Sequence, residues 1–155
     1  LPDEGPWHQE VREFGLNYRL PDILAALGSQ QLTRLSSFKE RRQGVKALYD
    51  SGFADAEGIR VPTQRAGADP VWHLYPVHVP ASARRATYDA LRAAGVFAQV
   101  NYLPAYRHPV FGGKVAPLPR SEEFYSTELS LPMHVLLEDS SIERVVTTVI
   151  NTVGA

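Results

Sequence analysis

Gly15-Leu16-Asn17-Tyr18-Arg19-Leu20-Pro21-Asp22 leads straight into the longest helical pattern of the chain. From Ile23 onward apolar side chains recur at Leu24, Leu27, Leu35, Phe38, Val45, Leu48 and Tyr49, mostly three or four apart, with Gln30, Arg34, Glu40 and Arg41 between them. The spacing predicts one amphipathic helix of about eight turns over residues 21–50, about 45 Å long at ~1.5 Å per residue. A helix of that length outruns a small domain and calls for a neighbour. Pro21 suits a first helical turn, where its missing N–H costs nothing, and Asp22 complements the positive helix start. Asn17 and Arg19 are thereby held at the mouth of a rigid element. Taken alone they read as a turn-forming Asn and a solvated Arg.

The 155 residues amount to one ordinary domain, long enough to bury a core. A net charge of −1 gives no general attraction to nucleic acid or to an anionic membrane. With no cysteine there is neither a disulfide framework nor thiolate chemistry. No apolar run is long enough to span a bilayer, and Leu1 opens no secretory signal pattern, so a soluble protein is expected; with the lack of cysteine compatible with it, the address expected is cytoplasmic. The opening Leu1-Pro2-Asp3-Glu4-Gly5-Pro6-Trp7-His8 reads as a loop entered from something upstream, so the chain is expected to be the C-terminal portion of a longer protein.

In chain order, residues 10–14 read as a short strand or a turn, and Ser51-Gly52 ends the long helix with Gly52 as its left-handed residue. Residues 58–62, 71–79 and 97–103 read as strands, with Pro76 and Pro104 limiting the second and third. Ser82 is a candidate cap for a helix over residues 83–94, closed by Gly95. Five punctuating residues, Pro109, Gly112, Gly113, Pro117 and Pro119, make residues 105–120 a long loop of the kind that carries function. Ser121 is expected to cap a short helix running through Leu129, and Ser140 with Glu143 forms a capping-box pair for a terminal helix. That helix has an apolar stripe at Ile142, Val145, Val146, Val149, Ile150 and Val153. The order predicts an α+β unit, a small mainly antiparallel sheet carrying helices on one face.

The string from Gly15 to Gly28, followed by Gln31-Leu32 and Arg41-Arg42, resembles the DegT/DnrJ/EryC1/StrS family of sugar aminotransferases. Trp72-His73-Leu74-Tyr75, Gln99-Val100-Asn101-Tyr102-Leu103-Pro104 with Tyr106-Arg107-His108-Pro109, and Leu129-Ser130-Leu131-Pro132-Met133-His134 are similar to further motifs of that family in the same order. The resemblance implies the small C-terminal domain of a fold-type-I pyridoxal-phosphate enzyme. It divides the chain into a connecting segment over residues 1–20, an interdomain helix over 21–50 and a small α+β domain over 51–155. The large cofactor-binding domain would lie upstream.

By the same resemblance, Asn17 reaches across a homodimer interface to the cofactor phosphate of the other subunit. Arg19, His73, Asn101, Tyr102 and His108 face the sugar nucleotide. An amide can donate to a phosphate oxygen, and a guanidinium fork suits oxyanions. His73 reads equally as a packed histidine and Tyr102 as core, while His8, His78 and His134 read as structural or surface residues. Two departures stand out. Asn101 and Tyr106 stand where family members commonly carry histidines, so Asn101 has only hydrogen bonding to offer. The Tyr106-to-Pro109 form resembles members that aminate C4 of a UDP-linked 4-keto-6-deoxy-hexosamine. An aminotransferase also needs a lysine to carry pyridoxal 5'-phosphate and shuttle protons. This chain has only Lys39, Lys46 and Lys114, none in a matching context, and Gly112-Gly113-Lys114 is no phosphate loop. The expected activity is therefore that of a parent enzyme, moving an amino group from glutamate to a keto sugar nucleotide. Two alternatives stand beside it: a relative that dehydrates the sugar instead, and a standalone domain that binds a nucleotide sugar or a partner without catalysis.

Overall fold

The computed structural model describes residues 3–112 and 115–154. Helices α1 (Asp22–Leu32) and α2 (Leu35–Gly52) precede β1 (Tyr75–His78) and α3 (Ala81–Ala93). Two 3₁₀ turns, Ala105–Arg107 and Pro109–Phe111, lead to α4 (Pro119–Thr127), β2 (Glu128–Leu131) and α5 (Asp139–Val153). The fold is α+β. β1 and β2 pair antiparallel, Tyr75 opposite Leu131 and His78 opposite Glu128. Single antiparallel bridges extend the pair on both sides, Arg60 with His78 and Gln99 with Ser130.

The single long helix expected over residues 21–50 is two helices. Hydroxyls turn back on carbonyls at the break, Thr33 Oγ1 donating to Gln30 O at 2.7 Å and Ser37 Oγ to Arg34 O at 2.9 Å, a competition that weakens a helix interior. The two helices differ in burial. α1 buries no residue, whereas α2 buries Val45 and Tyr49 against the body of the domain.

Gly52 closes α2 differently from the expected left-handed cap. A Cβ there would sit 2.9 Å from both Cγ1 and Cγ2 of Val146, so the missing side chain lets α2 approach α5. Gly95 does take the left-handed role at φ 76°, with Val96 N–H returning to Leu91 O at 2.8 Å. The expected serine caps are not used. α3 starts at Ala81 after Pro80, α4 places Pro119 in its first turn, and α5 starts at Asp139 without a side-chain cap. Arg41 instead holds the entry to α5, donating to Leu137 O and pairing with Asp139.

The expected strands are shorter than their sequence patterns. Trp72 has φ 53°, which ends any extended run before Tyr75. Leu129, expected in a helix, lies in β2, because the chain turns extended at Glu128. The core draws on every layer: Tyr49 from α2, Tyr75 and Val77 from β1, Leu91 from α3, Leu129 from β2, and Ile142, Val145 and Val149 from α5. Burying each such aliphatic side chain contributes about 1.5–3 kcal/mol, and together they hold α3 and α2 against α5. No helix among the described residues is long and apolar enough to cross a membrane.

Candidate functional site

The segment after α3 alternates as a half-buried strand should. Val96, Ala98 and Val100 are buried, while Phe97 and Gln99 are exposed. Gln99 and Ser130 exchange both backbone hydrogen bonds, at 3.0 and 2.8 Å. Beyond that bridge the segment leaves the sheet. Asn101 N–H donates to the side chain of Glu128, Oε2, at 2.8 Å, and the peptide bond that follows is cis. Tyr102 is turned outward and is 69% exposed.

These residues form one wall of a cleft of about 720 Å³, whose lining includes Arg92, Phe97, Gln99, Asn101, Tyr102 and His108. The opposite rim comes from the start of the chain. Val11 N–H donates to His108 Nδ1 at 3.1 Å, and Val110 N–H to Val11 O at 3.0 Å. Trp7 packs edge-on against Tyr88 at 4.8 Å between centroids, with the Arg84 guanidinium 4.7 Å from the indole centre. Glu4 pairs with Arg107, and Arg107 also faces Glu122, which accepts from Tyr106 Oη at 2.6 Å. The rim is thus pinned at three points by residues far along the chain, Tyr88 with Arg84, Arg107, and His108 with Val110.

Glu128 is 1% exposed. Burial pushes its carboxyl above the usual range, opposed by the Ser130 hydroxyl, the Asn101 amide and the charge of Arg84. Arg92 places its guanidinium 4.3 Å from the Phe97 ring centre at the cleft edge. Sequence reading did not single out Arg92, Phe97 or Glu128. The alternation of residues 96–100 carries the signal for Phe97, and nothing local marks Glu128.

Asn101, Tyr102 and His108 are brought together in the cleft. His73 is not with them. It is exposed and lines a second cavity of about 410 Å³ with His134, Ser141 and Arg144. Phe97 and Gln99 line both cavities and separate them. Asn17 and Arg19 line neither. Both are exposed in left-handed backbone, φ 50° and 66°, and neither has a side-chain partner among the described residues. Asn tolerates that conformation, whereas Arg bears a cost of about 1–2 kcal/mol there.

Lys39 is paired with Asp69, and Lys46 with Asp50 while lying 4.9 Å from the Trp72 ring centre. Gly113 and Lys114 lie outside the described residues. Among the described residues no cluster of His, Asp or Glu could hold a metal ion.

The profile of the DegT/DnrJ/EryC1/StrS aminotransferase family matches residues 2–150. The chain belongs to this family. The UDP-4-amino-4,6-dideoxy-N-acetyl-beta-L-altrosamine transaminase of Helicobacter pylori is 30% identical over 148 residues, 92% of this chain and 40% of that protein. The dTDP-3-amino-3,4,6-trideoxy-alpha-D-glucose transaminase of Streptomyces venezuelae is 35% identical over 139 residues, 87% of this chain and 36% of that protein. In structure, the aminotransferase TlmJ from Streptoalloteichus hindustanus is similar with a TM-score of 0.82 at 33% identity, over 96% of this chain and 40% of that one. The chain thus spans 40% or less of these relatives. Asn17 offers an amide without a side-chain partner among the described residues, whereas Lys39 and Lys46 are engaged in ion pairs, so the described residues do not by themselves make a cofactor pocket.

Proposed function

We propose that this chain is the C-terminal part of a pyridoxal-phosphate-dependent aminotransferase that replaces the keto oxygen of a sugar nucleotide by an amino group taken from glutamate. The observation that carries this reading is the family match over residues 2–150, and two relatives named as transaminases of UDP- and dTDP-linked sugars support it. The bound cofactor supplies the electron sink for amino-group transfer, and the lysine that carries it belongs to the missing part of the parent. A 4-keto-6-deoxy sugar is the preferred substrate on the Tyr106-to-Pro109 form, and the parent acts in the cytoplasm, away from nucleic acid and membrane.

The chain's own residues bind and orient. Asn17, exposed and without a side-chain partner among the described residues, would donate its amide to the cofactor phosphate held in the other subunit of a homodimer. Arg19 closes on substrate or cofactor oxyanions. Asn101 hydrogen-bonds the sugar, and the exposed Tyr102 ring packs against it. His108 Nδ1 accepts from Val11, which leaves Nε2 as the ring's donor toward a ligand. His73 joins this set for a ligand long enough to pass Phe97 and Gln99 into the second cavity. The exposed apolar side chains of residues 14–35 are the surface on which the rest of the parent and the second subunit dock.

The test is Asn17→Ala in the full-length parent protein. Loss of one charge-assisted hydrogen bond weakens cofactor retention by roughly tenfold or more. Unchanged cofactor affinity would remove the cross-subunit role.

A further inference from the structure

We infer that Glu128 is the positioning residue of the cleft: its buried side chain takes over a sheet hydrogen bond and so fixes the corner from which Asn101 and Tyr102 reach the ligand. The inference rests on the reading of the cleft as the sugar-nucleotide site.

The geometry of the ladder leads to it. Gln99 and Ser130 are a hydrogen-bonded antiparallel pair, exchanging both bonds. In such a ladder every second pair is bonded, so the register places Asn101 opposite Glu128 as the next bonded pair. Asn101 N–H does find Glu128, but at carboxylate Oε2 and not at the backbone carbonyl. The side chain interposes its own length between the strands, and the 97–101 segment peels away from the sheet at that point. The other carboxylate oxygen, Oε1, accepts from Ser130 Oγ at 2.5 Å. Both oxygens are therefore held by donors, and the whole unit is out of water, Glu128 at 1% and Ser130 at 3% exposure.

A buried acceptor with two donors fixed on it has one available arrangement. That rigidity is passed to Asn101 and Tyr102, which otherwise sit on an irregular segment ending at Pro104. Arg84 of α3 adds its charge to the carboxylate while stacking on Trp7, which lines the same cleft. Glu128 touches no ligand in this scheme and acts through the residues it holds.

The experiment uses the full-length parent protein with Glu128→Ala and Glu128→Gln. Two readouts are followed, hydrogen exchange at the Asn101 amide and steady-state kinetics with the keto sugar nucleotide. Glu128→Ala is expected to lose Asn101 protection and raise KM for the sugar nucleotide roughly tenfold or more, with cofactor affinity unchanged and kcat altered less than KM. Glu128→Gln, which keeps one acceptor oxygen, recovers part of both, and it replaces Glu128→Ala if that variant does not fold. Unchanged Asn101 protection overturns the inference, as does lost protection with unchanged KM. A wild-type parent that binds no sugar nucleotide overturns the functional reading instead, and Asn101 exchange alone then decides what Glu128 holds.

Discussion

Gly52 and Val146 meet so closely that a Cβ on the glycine would lie 2.9 Å from both methyl groups of the valine. Both methyls are struck, and a β-branched side chain on a helix has essentially one rotamer, so Val146 cannot turn aside. Gly52→Ala gains up to about 1 kcal/mol in helix propensity and loses about 1–3 kcal/mol to overpacking. Net destabilisation of about 1 kcal/mol is expected in urea unfolding, and Val146→Ala in the same molecule should relieve part of it. Additive effects in that double-mutant cycle would show that the contact is not strained.

Tyr75 Oη donates to Asp50 Oδ1 at 2.7 Å beneath the stacked ring of Tyr49. Burial raises the hydroxyls of both tyrosines well above the ordinary value, and for Tyr75 the hydrogen bond to Asp50 adds to it. A folded-state pKa above the unfolded one favours the protonated form. The stabilisation is therefore complete below about pH 10, the unfolded tyrosine value, and is lost as pH rises beyond it. Alkaline titration should show part of the tyrosinate absorbance appearing together with unfolding. Tyr75→Phe should cost about 1 kcal/mol near neutral pH and flatten the alkaline decline. Full tyrosinate absorbance from a folded chain would contradict this.

The surface from Phe14 through α1 is apolar and open, with Leu16 and Ile23 each 78% exposed. α1 buries no residue, so its side chains are not part of the core of this chain. The isolated chain should self-associate in sedimentation, and Ile23→Asp with Leu27→Asp should make it monomeric with unfolding free energy within about 0.5 kcal/mol of the original. A chain that stays monomeric at high concentration without those changes would count against a docking role for this face.

Much of this architecture is legible from periodicity alone. Of the expected apolar stripe, Ile142, Val145, Val146 and Val149 are buried while Ile150 is exposed and Val153 half-buried, and Gly95 closes its helix as expected. The order of the motifs along the chain also points to the family. What the pattern does not reveal depends on contacts far apart in sequence. The break after Leu32 follows from hydroxyls that compete for helix carbonyls, and the early departure of residue 101 from the sheet depends on a carboxylate 27 positions away. The separation of His73 from Asn101 is likewise a matter of which side of the 97–101 segment each residue lies on.

The most direct measurement is product analysis for the full-length parent protein supplied with pyridoxal 5'-phosphate, glutamate and a UDP-linked 4-keto-6-deoxy-hexosamine. The expected product is a sugar nucleotide whose keto oxygen has been replaced by an amino group, formed together with an equal amount of 2-oxoglutarate. A sugar that has lost a hydroxyl without gaining nitrogen, or no turnover of any keto sugar nucleotide by a folded protein that retains the cofactor, would contradict it.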